Sequence, residues 1–552
     1  MSALIVYKDV AVGAKENSTV TASEKQEFVN LNDLKQDIQA TNYATLEKDM
    51  WLLDGTFEVL PDDAENVGYW SEQLSTETNY DGLYAFSLPV TISRQFNGKY
   101  SASGISFEFD VFNNVFCKRI NVIWYSGTTI LADEVIIPDK PRFYYPINVE
   151  LFDRIELTFY GLNKPNRYMR MFNVDDGTVR YIGDGYDNEI MSGNVHLNVS
   201  IVGDDLQTNS LDFDFVVKGN EKLNFQEKQP IMAYKNNMLL GAFYATDFEQ
   251  LSANKYSVNA DDYVSILEKS KFYGGLYTNE PLKNLIAKIF ENENIEYYLD
   301  EKLENISING YLPICNKREA LRQIAIATGA VMTLANSTIF QILSNVENEP
   351  KIIDKTRIKT GGKIINNSKY TGVKLITHDY SGYADLGQQN VFEGIITGTA
   401  IIEFDKIYDN VHFGSGTGPT AEIKEVSVNH AIVSANGENV KLIASGVLGD
   451  TTRIHEKNNA EILANATKNI VEINNATLIT EENATETINR LYEYFLKNKK
   501  IQAEFVATNE NIGENVTLQN EFSGEQTGKI INSDISLGGN KLFMNCEVLI
   551  DG

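Results

Sequence analysis

Positive charge is scarce in this sequence relative to negative charge. Its 552 residues include 48 lysines and arginines against 76 aspartates and glutamates, which gives a formal net charge of −28. A surface that binds nucleic acid normally carries a basic stripe, and the sequence contains none. Because an acidic protein repels DNA and anionic membranes, we expect no sequence-specific nucleic-acid binding and no membrane insertion of its own. A solvated surface that keeps the protein soluble accounts for most of this charge.

Cysteine is also rare, and long apolar runs are missing. The three cysteines, Cys117, Cys315 and Cys546, are odd in number and far apart, which does not describe a disulfide framework. The first residues lack the basic region and apolar run of a signal peptide. No segment approaches the roughly 20 apolar residues of a transmembrane helix. We therefore expect reduced, mostly buried cysteines and a protein that folds in a cytoplasm.

Aromatic residues, by contrast, are abundant. The chain contains 28 tyrosines and 27 phenylalanines, which favour strands over helices. A chain of this length exceeds one hydrophobic core, and about three or four domains are expected. The predicted fold class is mainly β with a smaller α+β part.

The segment from Tyr273 to Val331 is the clearest helical part of the chain. A first helix is predicted where apolar residues recur at helical spacing, at Leu282, Leu285, Ile286, Ile289 and Phe290. Either Thr278 or Asn279 is a candidate cap, and Pro281 suits a first turn because its missing amide would have no partner there.

A second helix is predicted to begin after Asn316. This residue is the candidate N-cap, and Glu319 is placed to reach back to its amide in a capping box. Gly329 predicts the end of the helix. Between the two helices, "ISINGYLPI" predicts two short strands around an Asn309-Gly310 turn.

These helical lines resemble a known family. "LKNLIAKIFENENIEYYLD" and "YLPICNKREALRQIAIATGA" are similar to the baseplate or tail hub proteins of tailed phages and of contractile phage-tail-like bacteriocins. The similarity extends upstream through "SLDFDFVVKGN" and "QPIMAYKNNMLLGAFYATDFEQ", so that it covers about residues 173–350. It consists of pattern lines without a catalytic signature. The resemblance implies two hub β-barrel-like domains and a helix-containing central domain.

Strand pattern and resemblance together divide the chain into six segments. They are an N-terminal strand and polar segment with little core (1–41), an inserted β-sandwich (42–172), a first hub β-barrel (173–270), a helix–β–helix central domain (271–350), a second hub β-barrel (351–478) and a C-terminal helix plus strands (479–552). Hairpins are predicted at Ser126-Gly127, Asp176-Gly177 and Asn236-Asn237. A third helix is predicted from Thr480.

The predicted sandwich is antiparallel and jelly-roll-like, because strands recur about every ten residues with almost no helix. It contains all three tryptophans, Trp51, Trp70 and Trp124. Sandwiches of this kind resemble carbohydrate-binding modules, in which exposed aromatic rings stack on sugars. Trp124 shares its parity with Ile120 and Val122 and should point into the core. For Trp51 and Trp70 the sequence leaves core packing and exposed recognition both open.

Two loops could suggest ligand sites. The glycine-rich "GSGTGPT" from Gly414 to Thr420 lacks the Lys-Ser/Thr pair and the helix of a phosphate loop, and we interpret it as a flexible loop. In "GDGYDNE", Asp184, Asp187 and Glu189 could offer oxygen ligands to Ca²⁺, but their spacing is not that of an EF-hand. A solvated acidic turn is the simpler interpretation.

The histidines show no metal or catalytic signature. None of His196, His378, His412, His430 and His455 forms a zinc-type pair. A cysteine peptidase could in principle use Cys315 with His378 or His412, but Cys315 lies in a segment already explained as packing and helix start. With 76 acidic residues, a glycosidase-type carboxylate pair is not excluded by sequence. We expect no catalytic residues, metal site or cofactor.

The leading functional hypothesis is therefore structural. The resemblance implies a hub that forms a ring, with a homotrimer as the expected state, between the tail tube and a central spike protein. Tape measure, distal tail and baseplate wedge proteins would be its other partners. The expected location is the virion tail or a bacteriocin particle, with the absence of an enzymatic extension favouring a contractile tail. The alternatives are a glycan-binding adhesin that uses the sandwich and a cell-wall hydrolase.

Overall fold

A computed structural model of the chain describes residues 3–11, 13–47, 55–60, 66–186, 188–218, 229–345, 349–359, 362–367, 369–384, 387–459, 467–520 and 524–550. Strands dominate these residues, and only four α-helices and one short 3-10 helix, Leu31–Lys35, interrupt them in the part described. The mainly β fold class predicted from the sequence is confirmed, including the sandwich and the barrel.

The chain begins with strand β1 (Ala3–Val10) and then enters the sandwich. The sandwich strands are β2 (Ser18–Ala22), β3 (Tyr69–Trp70), β4 (Asn79–Tyr80), β5 (Leu83–Phe109), β6 (Cys117–Ser126), β7 (Thr129–Ile136), β8 (Arg142–Leu162) and β9 (Arg170–Asp175). They pair in the order β3-β9-β5-β8-β6-β7, with β2 and β4 on β5. Repeated register shifts between β5 and β8 let these long strands bend, and their inward residues form one core. The hairpin predicted at Ser126-Gly127 joins β6 to β7.

Seven strands close into a barrel after the sandwich. The new strands are β10 (Gly177–Gly183), β11 (Asn188–Asn198), β12 (Ser210–Val217), β13 (Pro230–Lys235), β14 (Met238–Gln250) and β15 (Lys255–Asp261). The order β10-β1-β13-β14-β15-β12-β11 is closed by a parallel contact between β10 and β11. The hairpin predicted at Asn236-Asn237 joins β13 to β14, and both asparagines have positive φ.

Two expectations about this region were wrong. Residues 1–41 were expected to contribute little core, but β1 lies between β10 and β13 and completely buries Ile5 and Tyr7. The Asp176-Gly177 pair does not form a hairpin, because β9 pairs within the sandwich whereas β10 pairs with β1. The chain crosses there from one domain to the other. Gly177 is required at the crossing, since a Cβ would lie 1.7 Å from the Asp9 carbonyl oxygen.

The central block follows the barrel. Its elements are α1 (Val264–Lys269), β16 (Lys271–Phe272), β17 (Gly275–Pro281), α2 (Leu282–Phe290), β18 (Tyr297–Leu299), β19 (Ser307–Leu312), β20 (Cys315–Asn316), α3 (Lys317–Thr328), β21 (Val331–Thr333) and β22 (Phe340–Leu343). The five apolar residues predicted for the first helix are all buried in α2. The Asn316 side chain caps α3 by accepting from the Glu319 amide at 2.8 Å, and Gly329 ends the helix in the left-handed conformation.

Local details of the block differ from expectation. Thr278 and Asn279 lie in β17 rather than capping α2, because the strand runs up to Pro281 and the helix begins directly after it. The Asn309-Gly310 pair lies inside the single strand β19 instead of turning the chain. Gly310 is needed for close approach, since a Cβ would lie 2.8 Å from the Thr477 carbonyl oxygen.

The rest of the chain contains β23 (Lys351–Ile353), β24 (Lys363–Asn366), β25 (Gly372–Ala384), β26 (Gln389–Glu403), β27 (Tyr408–Asp409), β28 (His412–Phe413), β29 (Glu422–Val426), β30 (His430–Ala444), β31 (Gly446–Asn458), β32 (Ile470–Ile473), α4 (Ala484–Leu496), β33 (Lys499–Val506), β34 (Asn515–Asn520), β35 (Gly524–Ser536) and β36 (Phe543–Ile550). Helix α4 begins four residues after the predicted Thr480.

These strands do not follow the boundary predicted between residues 478 and 479. Strands β23 and β24 join β33–β36 in one C-terminal sheet, in the order β23-β34-β35-β36-β33-β24. Strands β25–β32 form two four-stranded sheets of their own, which we call the arm. The arm is therefore inserted between the first and last strands of the C-terminal sheet.

Candidate functional site

Burial of the tryptophans decides whether the sandwich presents a ring for sugar stacking. Trp124 is fully buried, as its parity predicted. Trp70 is only 1% exposed and packs in the core. Its Nε1 donates to the Val67 carbonyl at 3.0 Å, and the Arg170 guanidinium lies 4.2 Å from the ring centroid. Trp51 lies outside the described residues. Of the two described tryptophans, neither offers an open face.

A shallow cavity of about 450 Å³ lies beside Trp70. Its walls include Phe28 and Tyr168 together with the exposed side chains of Leu46 and Val59. The lining is mainly apolar, whereas a sugar site needs several polar groups to orient hydroxyls. This cavity therefore has the character of an apolar surface depression.

A buried polar cluster fixes the sandwich to the barrel, and we call it the junction cluster. Asp9 on β1 accepts from Arg180 Nε on β10 at 2.9 Å and from the Ser103 hydroxyl on β5 at 2.6 Å. Arg94 of the sandwich pairs with Asp176 at the crossing between the domains, at 3.2 Å. Burial raises the pKa of Asp176 even though Arg94 opposes this shift. Removing one partner of such a buried pair costs about 3–5 kcal/mol, so the cluster holds the two domains in one orientation.

A second polar contact at the junction lies nearer the surface. Lys15 donates to Asp37 at 2.7 Å and to Asp175 at 2.8 Å, and Lys8 donates to Asp37 at 2.6 Å. Burial alone would raise the pKa of Asp37, but the hydrogen bonds from Lys15 and Lys8 lower it to about 2. The carboxylate therefore stays charged and bridges both lysines near neutral pH.

The barrel and the C-terminal sheet are joined edge to edge through β11. Residues Asn194–Asn198 of β11 pair with Asn532–Ser536 of β35, so the two units form one continuous sheet. His196 and Asp534 face each other across this seam, with 2.6 Å between Nδ1 and Oδ1. The two β units therefore behave as one body.

Lys235 reinforces the same contact from inside. It is fully buried, and its ammonium group donates to the carbonyl oxygens of Leu537, Gly538 and Gly539 at 2.6, 3.0 and 2.6 Å. All three of its protons thus reach an acceptor on the turn between β35 and β36. The sequence contains a signal for this burial, because Lys235 shares the inward parity of Ile231 and Ala233.

The two loops flagged in the sequence do not assemble into sites. The Thr417 hydroxyl lies 3.0 Å from the Gly414 carbonyl and 3.1 Å from that of Lys441, so the glycine-rich loop is folded onto β30. Asp184 is exposed, Glu189 pairs with Lys218, and Asp187 lies outside the described residues. No group of three metal-ligating side chains occurs in the part of the chain that the structure describes.

The cysteines and histidines are likewise separate. All three cysteines are free thiols, and burial raises the pKa of Cys315 to about 12. His378 pairs with Asp450 at 2.8 Å, whereas His412 contacts the Asn410 carbonyl at 2.8 Å. No hydrogen bond joins Cys315 to either histidine among the described residues. None of the described helices is long and apolar enough to cross a bilayer.

Comparison with known proteins places these features beside two groups of solved structures. No protein-family model and no curated protein matches the chain. The 43 kDa tail protein of prophage MuSo2 from Shewanella oneidensis is 10% identical over 67% of this chain and 95% of that one, with a TM-score of 0.39. The tail protein from Neisseria meningitidis MC58 is 10% identical over 67% and 93%, with a TM-score of 0.41.

The second group of structures is similar to a smaller part of the chain. The family 32 carbohydrate-binding module of Clostridium perfringens NanJ, solved with galactose, is 12% identical over 31% of this chain and 98% of that one. Its TM-score is 0.19. The chain is therefore similar to phage tail proteins over two thirds of its length and to a sugar-binding module over about a third.

Proposed function

We propose that the chain is a structural component of a phage tail or a related contractile particle, in which it forms the hub ring. The observation that carries the proposal is the strand pairing between β11 and β35, which unites a closed barrel and a second β unit in one body. A ring component that transmits force needs adjoining units that cannot rotate against each other. The continuous sheet, the Lys235 contacts and the junction cluster supply that rigidity.

The proposed mechanism is mechanical. Each subunit contains two β units, the barrel and the C-terminal unit, so a ring of three subunits would contain six. Six β units would match a hexameric tube, and the threefold symmetry of the ring would match a spike protein. With a net charge of −28, a ring of these subunits would repel DNA that passes through its lumen. The tube, spike, tape measure and wedge proteins remain the proposed partners, and the tail of the particle remains the proposed location.

We further propose that the chain is not an enzyme. The side chains considered for peptidase chemistry are separate, and the Cys315 thiol has a pKa raised by burial, which disfavours the thiolate nucleophile. Incubating the purified chain with isolated cell walls should leave their turbidity unchanged. Any turbidity loss would contradict this proposal, and its disappearance in a Cys315→Ala variant would assign the activity to that thiol.

The adhesin alternative loses one of its two candidate residues. Sugar stacking through Trp70 would require an open ring face, but that ring is covered by Arg170 and Phe28. No described feature of the sandwich therefore favours a glycan-binding role over a structural one.

The experiment that tests the hub proposal is the native mass of the chain across a range of concentrations, by light scattering behind a sizing column. We expect a discrete species of three times the 61.9 kDa chain mass, either alone or after addition of a spike protein. Negative-stain images of that species should show closed rings. A monomer at every concentration, with and without tail partners, would contradict the proposal.

A further inference from the structure

A cleft of about 710 Å³ separates the central block from the arm. One wall contains Gly275 and Thr278 of β17, and the other contains Val426 of β29 and the adjoining Ser427. The walls meet at one end, where the Ser427 hydroxyl lies 3.1 Å from the position that a Cβ on Gly275 would take. We call this space the edge cleft, because a strand lies along each wall.

Both of these strands have a free edge within the described residues. Strand β17 pairs only with β19, and β29 pairs only with β30. Ser427 N–H donates to the His430 carbonyl at 2.8 Å, which makes these two residues a hydrogen-bonded pair. Because such pairs alternate in an antiparallel ladder, the neighbouring Val426 directs its N–H and C=O away from β30. Val426 lines the cleft and its side chain is 47% exposed.

A buried histidine adds an acceptor to the cleft wall. His430 is 5% exposed, and its ring lies 5.0 Å from that of Tyr273. Asn429 donates its amide to the Tyr273 carbonyl at 2.6 Å, which fixes its Oδ1 as the group that faces His430 Nδ1 at 2.9 Å. Nδ1 must therefore carry the proton, and Nε2 offers a lone pair.

His430 lines the cleft, and its Nε2 atom has no hydrogen-bond partner in the part of the chain that is described. Burial lowers the pKa of His430 and so favours this neutral form. Nε2 keeps some solvent-accessible surface, so a donor in the cleft can reach it. The edge cleft thus offers an acceptor that no described residue satisfies.

Carboxylates outnumber ammonium groups in the cleft, because Glu291 and Glu425 line it in addition to the glutamates that pair with its lysines. Lys317 pairs with Glu293 at 2.8 Å, and Lys271 pairs with Glu403. Lys288 lies 3.9 Å from Glu280. Since each of these lysines already faces a carboxylate, the cleft is not an anion site. A neutral or positively charged ligand with alternating donors and acceptors is the better match.

We propose that the edge cleft binds an extended polypeptide segment, which adds as a strand to β29 through the outward N–H and C=O of Val426 and donates one amide to His430 Nε2. Polypeptide backbone is neutral and carries donors and acceptors at the spacing that a free strand edge requires. The site lies between two bodies of the fold, where ligand clefts commonly occur. Its occupancy does not depend on whether the chain forms a ring.

The test uses the full chain and a library of random dodecapeptides displayed on filamentous phage. A peptide enriched on the unmodified chain is synthesised with a fluorescent label, and its affinity is measured by polarisation. Val426→Pro removes the outward N–H without removing a bond to β30, and proline is tolerated at strand edges. Val426→Thr is the matched control, because it changes the side chain and keeps the donor.

We expect Val426→Pro and His430→Phe each to weaken binding by about tenfold, the effect of one lost hydrogen bond, and Val426→Thr to weaken it by less than about twofold. If Val426→Pro fails to fold, hydrogen exchange on the unmodified chain replaces it, and bound peptide should protect the Val426 amide. Failure of any peptide to enrich, or equal binding to Val426→Pro, would overturn the proposal. Binding on a glycan array that His430→Phe abolishes and Val426→Pro retains would assign the cleft to sugars instead.

Discussion

A Lys235→Met variant should loosen the contact between the barrel and the C-terminal sheet. Methionine keeps the length of the side chain but removes the ammonium group and its three hydrogen bonds to carbonyl oxygens. Gly538 and Gly539 are exposed, so their carbonyls can return to water, whereas Leu537 is buried. The variant loses about one charge-assisted hydrogen bond and leaves the buried Leu537 carbonyl without a partner, and both changes destabilise the contact. Removal of the buried charge partly offsets this loss. We therefore expect the contact to be weakened by about 2 kcal/mol.

Hydrogen exchange at the Leu537 amide is the direct assay, because this amide donates to the Gly193 carbonyl across the same contact at 2.8 Å. A loss of about 2 kcal/mol predicts roughly 30-fold faster exchange if opening there is local. Lys255→Met is the control, since that lysine forms a partly exposed pair with Asp214 and should not affect Leu537. If the Leu537 amide exchanges at the same rate in Lys235→Met as in the unmodified chain, the hydrogen bonds from Lys235 do not hold the turn and the argument is refuted.

Three further outcomes follow from burial and backbone geometry. Burial raises the pKa of Asp262 to about 7. The folded chain therefore keeps a proton there that the unfolded chain releases from about pH 4, so the free energy of unfolding should fall as pH rises towards 7. Asp262→Asn should reduce that fall in urea titrations at pH 5 and pH 8, and an unchanged slope would contradict the assignment. Gly177→Ala should lower the midpoint of thermal unfolding much more than Gly127→Ala does, because a Cβ at Gly127 meets nothing within 4 Å. Equal decreases in the two variants would show that the backbone at the crossing between the domains moves to accommodate the added methyl group. Burial raises the pKa values of the three thiols to about 11 or 12. They should therefore react slowly with a chromogenic disulfide at pH 8 in the folded chain and rapidly in urea. A thiol that reacts rapidly in the folded chain would contradict this prediction.

The features that sequence predicted best are those encoded by neighbouring residues. Helix α3 has its cap, apolar stripe and stop within the segment from Asn316 to Gly329, so its boundaries could be read directly. Strands with alternating apolar and polar residues could also be predicted from local sequence, because residues two positions apart lie on the same face of a strand. At the end of the chain, alternate residues share a face in this way and are all buried: Leu542, Met544, Cys546, Val548 and Ile550.

Contacts between distant segments could not be read in the same way. Asp9 and Arg180 are separated by 171 residues, and neither residue has a local pattern that marks its partner. The pairing of β11 with β35 joins residues more than 300 positions apart. The turn predicted at Asn309-Gly310 was wrong for a related reason. Gly310 is needed because the backbone of Thr477, which is distant in sequence, lies close to it. The edge cleft was missed since its walls come from β17 and β29, which sequence shows only as separate strands.

The insertion of the sandwich after β1 sets an order of events during synthesis. The sandwich core is built only from residues between Ala11 and Val174, so it can form as soon as that stretch has left the ribosome. Strand β1 emerges first but must wait for β10 and β13, and at roughly 5–20 residues per second the delay to β10 is on the order of ten to thirty seconds. When the sandwich is complete, β10 follows within about ten residues, but β13 is complete only about 60 residues later, or roughly 3–12 seconds of synthesis. For that time a nascent chain carries a finished sandwich beside a β1 strand that lacks one of its two partners. Shielding of the apolar face of β1 is therefore needed during synthesis and no longer after β10 and β13 have paired with it.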